Sequence, residues 1–131
     1  MSASAATALV RSEDQAYLDE HFVWEASIDG GMVCLTITEF PMAVGLTPTA
    51  CELLLRLPPG FPDAGPDMFW FALPVTRLDG QPIPATDVTE THLGRTWHRW
   101  SRHIGSAWRP GVDDLRSYIT YITTCLRRAA A

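Results

Sequence analysis

Leu57-Pro58-Pro59-Gly60-Phe61-Pro62-Asp63-Ala64-Gly65-Pro66-Asp67 carries four prolines and two glycines in eleven residues. Proline fixes φ and removes a backbone donor, so this stretch is neither helix nor central strand. It is a bend, and the chain on either side of it reads as sheet. Immediately upstream, Cys51 to Leu57 alternates with period two, which sets Cys51, Leu53, Leu55 and Leu57 on one face. Met32 to Glu39 alternates in the same way, with Val33, Leu35 and Ile37 on one face. Asp29-Gly30-Gly31 before it reads as a hairpin turn that follows a strand over Val23 to Ile28. Downstream of the bend, the apolar run Met68 to Leu73 is expected to be a strand buried on both faces, and Asp79-Gly80 marks another turn. Cys34 and Cys51 fall on these strands and read as structural.

Farther out the pattern changes. Residues 1–11 are rich in Ala and Ser and are expected to be a disordered N-terminus. Ser12-Glu13-Asp14-Gln15 fits a capping box that opens a helix running to about Phe22. At the other end Asp113 or Asp114 caps a helix whose stripe is Leu115, Tyr118, Ile119, Ile122 and Leu126, with Arg127 and Arg128 suiting its negative terminus. Between Pro82 and Gly111 no regular period appears, although Trp97 to Trp100 has room for a short helical turn. The order predicted is a helix, an antiparallel four-stranded meander, a long loop and a C-terminal helix. That is one α+β domain over residues 12–131.

Composition sets the outer limits. At 131 residues, 47% apolar and 19% charged, the chain has enough apolar surface for one real core and is not an unfolded tail. No stretch approaches the roughly 18 apolar residues of a membrane span, and Met1 to Ala6 lacks the basic and apolar regions of a secretory signal. Cys34, Cys51 and Cys125 are odd in number, widely spaced and without a CxxC pair, which argues against a disulfide framework or a structural zinc. No metal or cofactor is expected, and a reducing cytoplasm is the expected setting. A net charge of −5 argues against bulk nucleic-acid binding.

Residues 91–112 stand apart from this average. They hold three of the four His, three of the five Trp and four Arg with no acid, so they carry +4 while the remainder carries −9. Arg and Trp together suit single-stranded nucleic acid, and the His residues suit a metal, although no carboxylate or Cys lies close in sequence. Ser101, flanked by His98 and His103, suits acyl transfer with one His as base. Plain structure is a fourth reading: Trp97, Trp100 and Trp108 pin a long loop while Arg guanidiniums stack on them.

The layout resembles the ubiquitin-conjugating enzyme (UBC) fold. Phe61-Pro62 followed by Pro66 before a strand resembles the proline bend of that family, and Trp108-Arg109-Pro110 resembles its W-x-P element. The helix after Asp113 stands where the next family helix begins. In the Trp100-Ser101-Arg102-His103 and Gly60-to-Trp70 strings, the chain looks most like the bacterial branch of conjugating-enzyme-like proteins. The resemblance covers residues 12–128. It implies an activating-enzyme-like protein and a ubiquitin-like protein as partners, and a JAB-type peptidase in the same pathway. The first helix would face the activating enzyme.

The departures direct the chemistry. The family's catalytic Cys lies seven or eight residues before the Trp, and here those positions are Ser101 and Trp100. The family's His-Pro-Asn motif falls near His92-Leu93-Gly94, and the chain contains no Asn. The resemblance therefore implies an oxyester carrier on Ser101, or a catalytically inactive adaptor that only binds its partners. An alcohol is not ionised at neutral pH, so a Ser nucleophile needs a base, which His103 or His98 would supply. The developing oxyanion needs donors in place of Asn, and Arg99, Arg102, His92 or a backbone N–H would serve. Trp97, Trp100, Trp108 and Pro110 would anchor the loop. All ten basic residues are Arg and none is Lys. GC-rich codon usage accounts for that, and a surface without lysine amines also suits a carrier of an activated acyl group. An independent Ser hydrolase would instead turn over small esters without partners.

Overall fold

Gly30 and Gly31, at φ of 59° and 76°, turn the chain between Asp29 and Met32 in the left-handed geometry that a two-residue hairpin needs. A computed structural model describes residues 2–131. In chain order its elements are α1 (Ser2–Ala8), α2 (Ser12–His21), β1 (Trp24–Asp29), β2 (Met32–Pro41), β3 (Leu46–Thr47) and β4 (Ala50–Leu57). Then come β5 (Phe69–Phe71), β6 (Thr76–Arg77), β7 (Val88–His92), β8 (Arg95–Trp100), a 3₁₀ turn (Gly105–Ala107) and α3 (Leu115–Ala130). One six-stranded antiparallel sheet runs in the order β1-β2-β4-β5-β8-β7, and β3 pairs with β6 in a separate ladder.

Period two divides the sheet into two faces. On the inner face Leu35, Ile37, Leu53, Leu55, Phe69, Phe71 and Trp100 pack in one buried cluster with Leu115, Tyr118, Ile122 and Leu126 of α3. The α3 stripe is the predicted one, with Cys125 added to it. Asp114 caps α3: its carboxylate accepts from the Ser117 N–H, while the Ser117 hydroxyl accepts from the Asp114 N–H. On the outer face Cys34, Leu54, Trp70 and Trp97 form a second, smaller buried cluster, with Met68, Ala72 and Leu93 packed against it.

The proline bend and the W-x-P element meet. Trp108 is 7% exposed, donates its indole N–H to the Pro62 carbonyl at 2.8 Å, and lies between the rings of Phe61 and Tyr118. Gly65 passes beneath it so closely that a Cβ there would stand 2.6 Å from Trp108 Cγ.

The α+β class holds, and three local expectations are corrected. Residues 2–8 form helix α1 beside β1, with Ala6 fully buried and Val10 4% exposed in the main core. Met1 falls outside the described residues. Ser12 does not cap α2, whose N-cap is Arg11; the Gln15 amide instead donates to the Thr7 and Val10 carbonyls and so closes the end of α1. The apolar strand after the bend is shorter than its run, Phe69–Phe71, but is buried on both faces as expected. The largest correction concerns Pro82 to Gly111, which is no structureless loop. It contains the β7–β8 hairpin, closed by Leu93 and Gly94 at φ of 56° and 69°, which raises the sheet from the expected four strands to six. Trp97 to Trp100 is strand, not helix.

Candidate active site

The β5–β8 register decides where the chemistry lies. Phe69 pairs with Trp100, Trp70 with Arg99 and Phe71 with His98. Directly paired residues share a face, so His98 and Trp100 go inward with the two Phe, while Trp70 and Arg99 go outward. On the far side of β8, Glu90 pairs with Trp97 and His92 with Arg95, which brings Glu90 and His92 to the outer face as well.

Two clusters border Ser101. In the first, the Arg99 Nε donates to the Ser101 hydroxyl oxygen at 3.1 Å, and its Nη1 donates to Glu90 Oε2 at 2.9 Å. Glu90 Oε1 in turn accepts from the Trp70 indole N–H at 2.9 Å and lies 3.1 Å from His92 Nε2. Partial burial alone would raise the Glu90 carboxyl, but hydrogen bonds from His92, Trp70 and Arg99 hold it below the usual carboxylate range. It is therefore ionised at neutral pH. The Ser101 hydroxyl uses a lone pair on Arg99 and keeps its own proton free to donate.

In the second cluster, His103 Nδ1 lies 2.6 Å from Asp67 Oδ1. A carboxylate only accepts, so Nδ1 carries the proton and a neutral imidazole has its lone pair on Nε2. Asp67 is placed by its neighbour Met68, at φ 62°. The Met68 N–H donates to the Arg102 carbonyl at 3.1 Å, and the Tyr118 hydroxyl donates to the Met68 carbonyl at 2.6 Å. Those two bonds tie the end of the proline bend to the residues just after β8 and to α3. Asp67 and Glu90 both line one outer-face cleft of about 390 Å³, whose walls include Arg56, Met68, Trp70 and His92.

The other expected site residues separate from Ser101. His98 lies on the opposite face of β8. His92 reaches Ser101 only through Glu90 and Arg99. Arg102 stacks over Trp100 of the inner core at 5.1 Å and donates to the Pro84 carbonyl. The Ser101 N–H donates to Ala85 O and the Arg102 N–H to Trp100 O, so neither is open to an oxyanion. Of the anchoring residues, Trp108 holds the bend, Trp97 and Trp100 are strand core on opposite faces, and Pro110 is exposed. Reasoning from sequence missed Asp67 and Glu90. Both are distant in sequence from Ser101: Glu90 reaches Arg99 through the β7–β8 pairing, and Asp67 meets His103 from the end of the proline bend.

Pairing also neutralises the cationic segment. Arg95 binds Glu52, Arg99 binds Glu90 and Arg109 binds Asp113, so three of its four Arg carry a paired acid and Arg102 alone does not, which makes no basic stripe among the described residues. Thiol chemistry has no accessible group among the described residues. Cys34, Cys51 and Cys125 are buried, and desolvation pushes each thiol up. No group of three or more His, Cys, Asp or Glu that would suit a metal gathers among the described residues.

A model of prokaryotic E2 family E matches residues 10–129. The chain belongs to that family. Neither a curated protein nor a solved structure matches the chain. Membership accounts for the UBC-like arrangement of short N-terminal helices, antiparallel sheet and C-terminal helix. It also implies a conjugating-enzyme-like role in a bacterial pathway, alongside an activating enzyme and a ubiquitin-like protein. No helix of this family E member, among the described residues, is long and apolar enough to cross a membrane.

Proposed function

We propose that this chain carries the C-terminal glycine of a ubiquitin-like protein as an oxyester on Ser101, having received it from an activating enzyme. The observation that supports this reading best is the Asp67–His103 pair, 2.6 Å apart and two residues from Ser101, with a lone pair left on His103 Nε2. In the step proposed, Ser101 Oγ attacks the activated glycine carbonyl and its proton passes to His103 Nε2. A new C–O bond forms to Ser101, the bond to the activating enzyme breaks, and the leaving group takes the proton from His103. Arg99, already on Oγ, lowers the cost of negative charge there. Asp67 fixes the imidazole tautomer and steadies the imidazolium. No hydrogen bond joins Ser101 to His103 among the described residues, and the step requires the two side chains to close that contact on loading.

A JAB-type peptidase would act in the same pathway. A catalytically inactive adaptor is the second reading, favoured by the absent serine–histidine contact. Intact mass separates the two after incubation with the ubiquitin-like protein, the activating enzyme and ATP. A one-to-one adduct that survives dithiothreitol, falls to mild base and vanishes in Ser101→Ala supports the carrier. A stable complex without an adduct supports the adaptor. An adduct lost to dithiothreitol refutes the serine chemistry.

A further inference from the structure

Arginine side chains are long and carry substantial rotamer entropy, so one that merely lies near a hydroxyl is a poor electrostatic device. Arg99 is not in that position. Its Nη1 is held by Glu90 Oε2 at 2.9 Å while its Nε points to Ser101 Oγ at 3.1 Å. Glu90 is itself fixed, because its second oxygen is engaged by the Trp70 indole and by His92. Glu90 comes from β7, Arg99 from β8 and Trp70 from β5, so three adjacent strands converge on one outer-face carboxylate. We propose that Glu90 is a positioning residue, which holds the Arg99 guanidinium against the Ser101 hydroxyl oxygen. This inference rests on the reading of Ser101 as an acyl acceptor and assigns a role to a residue that never touches the acyl group.

The physical reason is geometric. Negative charge develops on Oγ as its proton leaves, and an N–H donor that is already in place needs no reorganisation at that moment. Without Glu90, the guanidinium is free to turn into solvent or toward other acceptors, and its average alignment on Oγ is lost. A donor displaced by about 1 Å costs on the order of 10- to 100-fold in rate. The effect of Glu90 must therefore run through Arg99, and it must vanish when Arg99 is absent.

The test uses p-nitrophenyl acetate on the full chain, so that it needs no partner protein. Ser101 Oγ bonds to the acetyl carbon, the bond to p-nitrophenolate breaks, and the hydroxyl proton goes to His103. Acetylation at Ser101 is followed by peptide mass for wild type, Glu90→Gln, Arg99→Gln, the double variant and Ser101→Ala, with thermal unfolding recorded for each. The expected result is a 10- to 100-fold lower rate in each single variant, with the double variant no slower than Arg99→Gln alone. Losses that multiply in the double variant would assign Glu90 a structural role and overturn the proposal. So would wild-type rates in Glu90→Gln, or a wild-type Ser101 no more reactive than the exposed Ser106. If Glu90→Gln does not fold, Glu90→Asp replaces it, since a side chain one methylene shorter cannot serve Trp70, His92 and Arg99 together. Rapid acetylation without transfer from the activating enzyme would defeat the carrier reading and leave the role of Glu90 standing. Transfer that is indifferent to Glu90 would do the reverse.

Discussion

Gly65→Ala is a sharp test of the contact between the proline bend and Trp108. Gly65 does not sit in the left-handed region, so alanine suits its backbone and the effect of the added methyl is steric. That methyl would stand 2.6 Å from Trp108 Cγ, 2.7 Å from Cδ2 and 3.0 Å from Cβ, all well inside contact distance. The indole has little room to retreat: its N–H is on the Pro62 carbonyl at 2.8 Å, and Phe61 and Tyr118 flank it at centroid distances of 5.9 and 6.2 Å. Overpacking of this kind costs about 1–3 kcal/mol, and a pinned indole places the site toward the upper end. The smaller entropy of the unfolded alanine chain returns about 0.4–1 kcal/mol. The net expectation is a loss of about 2 kcal/mol, which lowers the melting temperature by about 6–10 °C for a chain of this size. Thermal and urea unfolding followed by circular dichroism read this directly. In a Trp108→Ala background Cγ and Cδ2 are gone and only the Cβ contact at 3.0 Å remains, so the added cost of Gly65→Ala should fall by more than half. A Gly65→Ala protein that melts within 1 °C of wild type, or an equal cost in both backgrounds, would refute the close-contact argument.

Other outcomes follow from the site. His103→Ala should lower ester formation on Ser101 by about 10²–10⁴-fold, and Asp67→Asn by a smaller factor, in timed mass measurements. Both should leave the melting temperature nearly unchanged, because the pair is more than half exposed, at 58% and 61%. Glu90 should contribute stability that is fully present above its ordinary pKa of 4.5 and is lost as pH falls below that through its lowered folded value. Glu90→Gln should therefore flatten the acid limb of a plot of unfolding free energy against pH. Ellman's reagent should label none of the three cysteines in the native protein and all of them in guanidinium, since each is buried; rapid native labelling would contradict that burial.

How much of this was legible depended on whether a residue's partner lay nearby in sequence. The Asp29-Gly30-Gly31 turn, the alternation of Met32 to Glu39 and of Cys51 to Leu57, and the α3 stripe are local patterns, and each forms as read. The β7–β8 hairpin escaped because its inward positions are themselves polar. Thr89, Thr91, Thr96 and His98 lie on the inner face while Trp97 stands among Glu90, His92 and Arg99 on the outer one, so no period-two signal appears. Its turn, Leu93-Gly94, also lacks the Asn-Gly or Asp-Gly signature. Gln15 escaped for another reason: a glutamine three residues after a serine fits a capping box, yet its amide goes back to the preceding helix. At the site, Ser101, His103 and Arg99 were visible as a cluster along the chain. Of their carboxylate partners, Glu90 is set by strand register and Asp67 by the docking of the proline bend beside the end of β8, and no local pattern encodes either.

The pairing of Arg95, Arg99 and Arg109 with acids has a kinetic consequence. An ion pair is a short dipole, and its field fades within a few ångströms, whereas a bare charge is felt across about a Debye length, roughly 8–10 Å at physiological salt. At the range where two proteins first meet, the region around Ser101 therefore presents little more than the charge of Arg102 on a chain of net charge −5. An acidic partner gains little electrostatic steering toward it. Encounter with such a partner should proceed near the unsteered 10⁵–10⁶ M⁻¹s⁻¹ and respond little to added salt. A basic partner would instead be drawn to the acidic remainder of the surface, at a rate that falls as ionic strength rises.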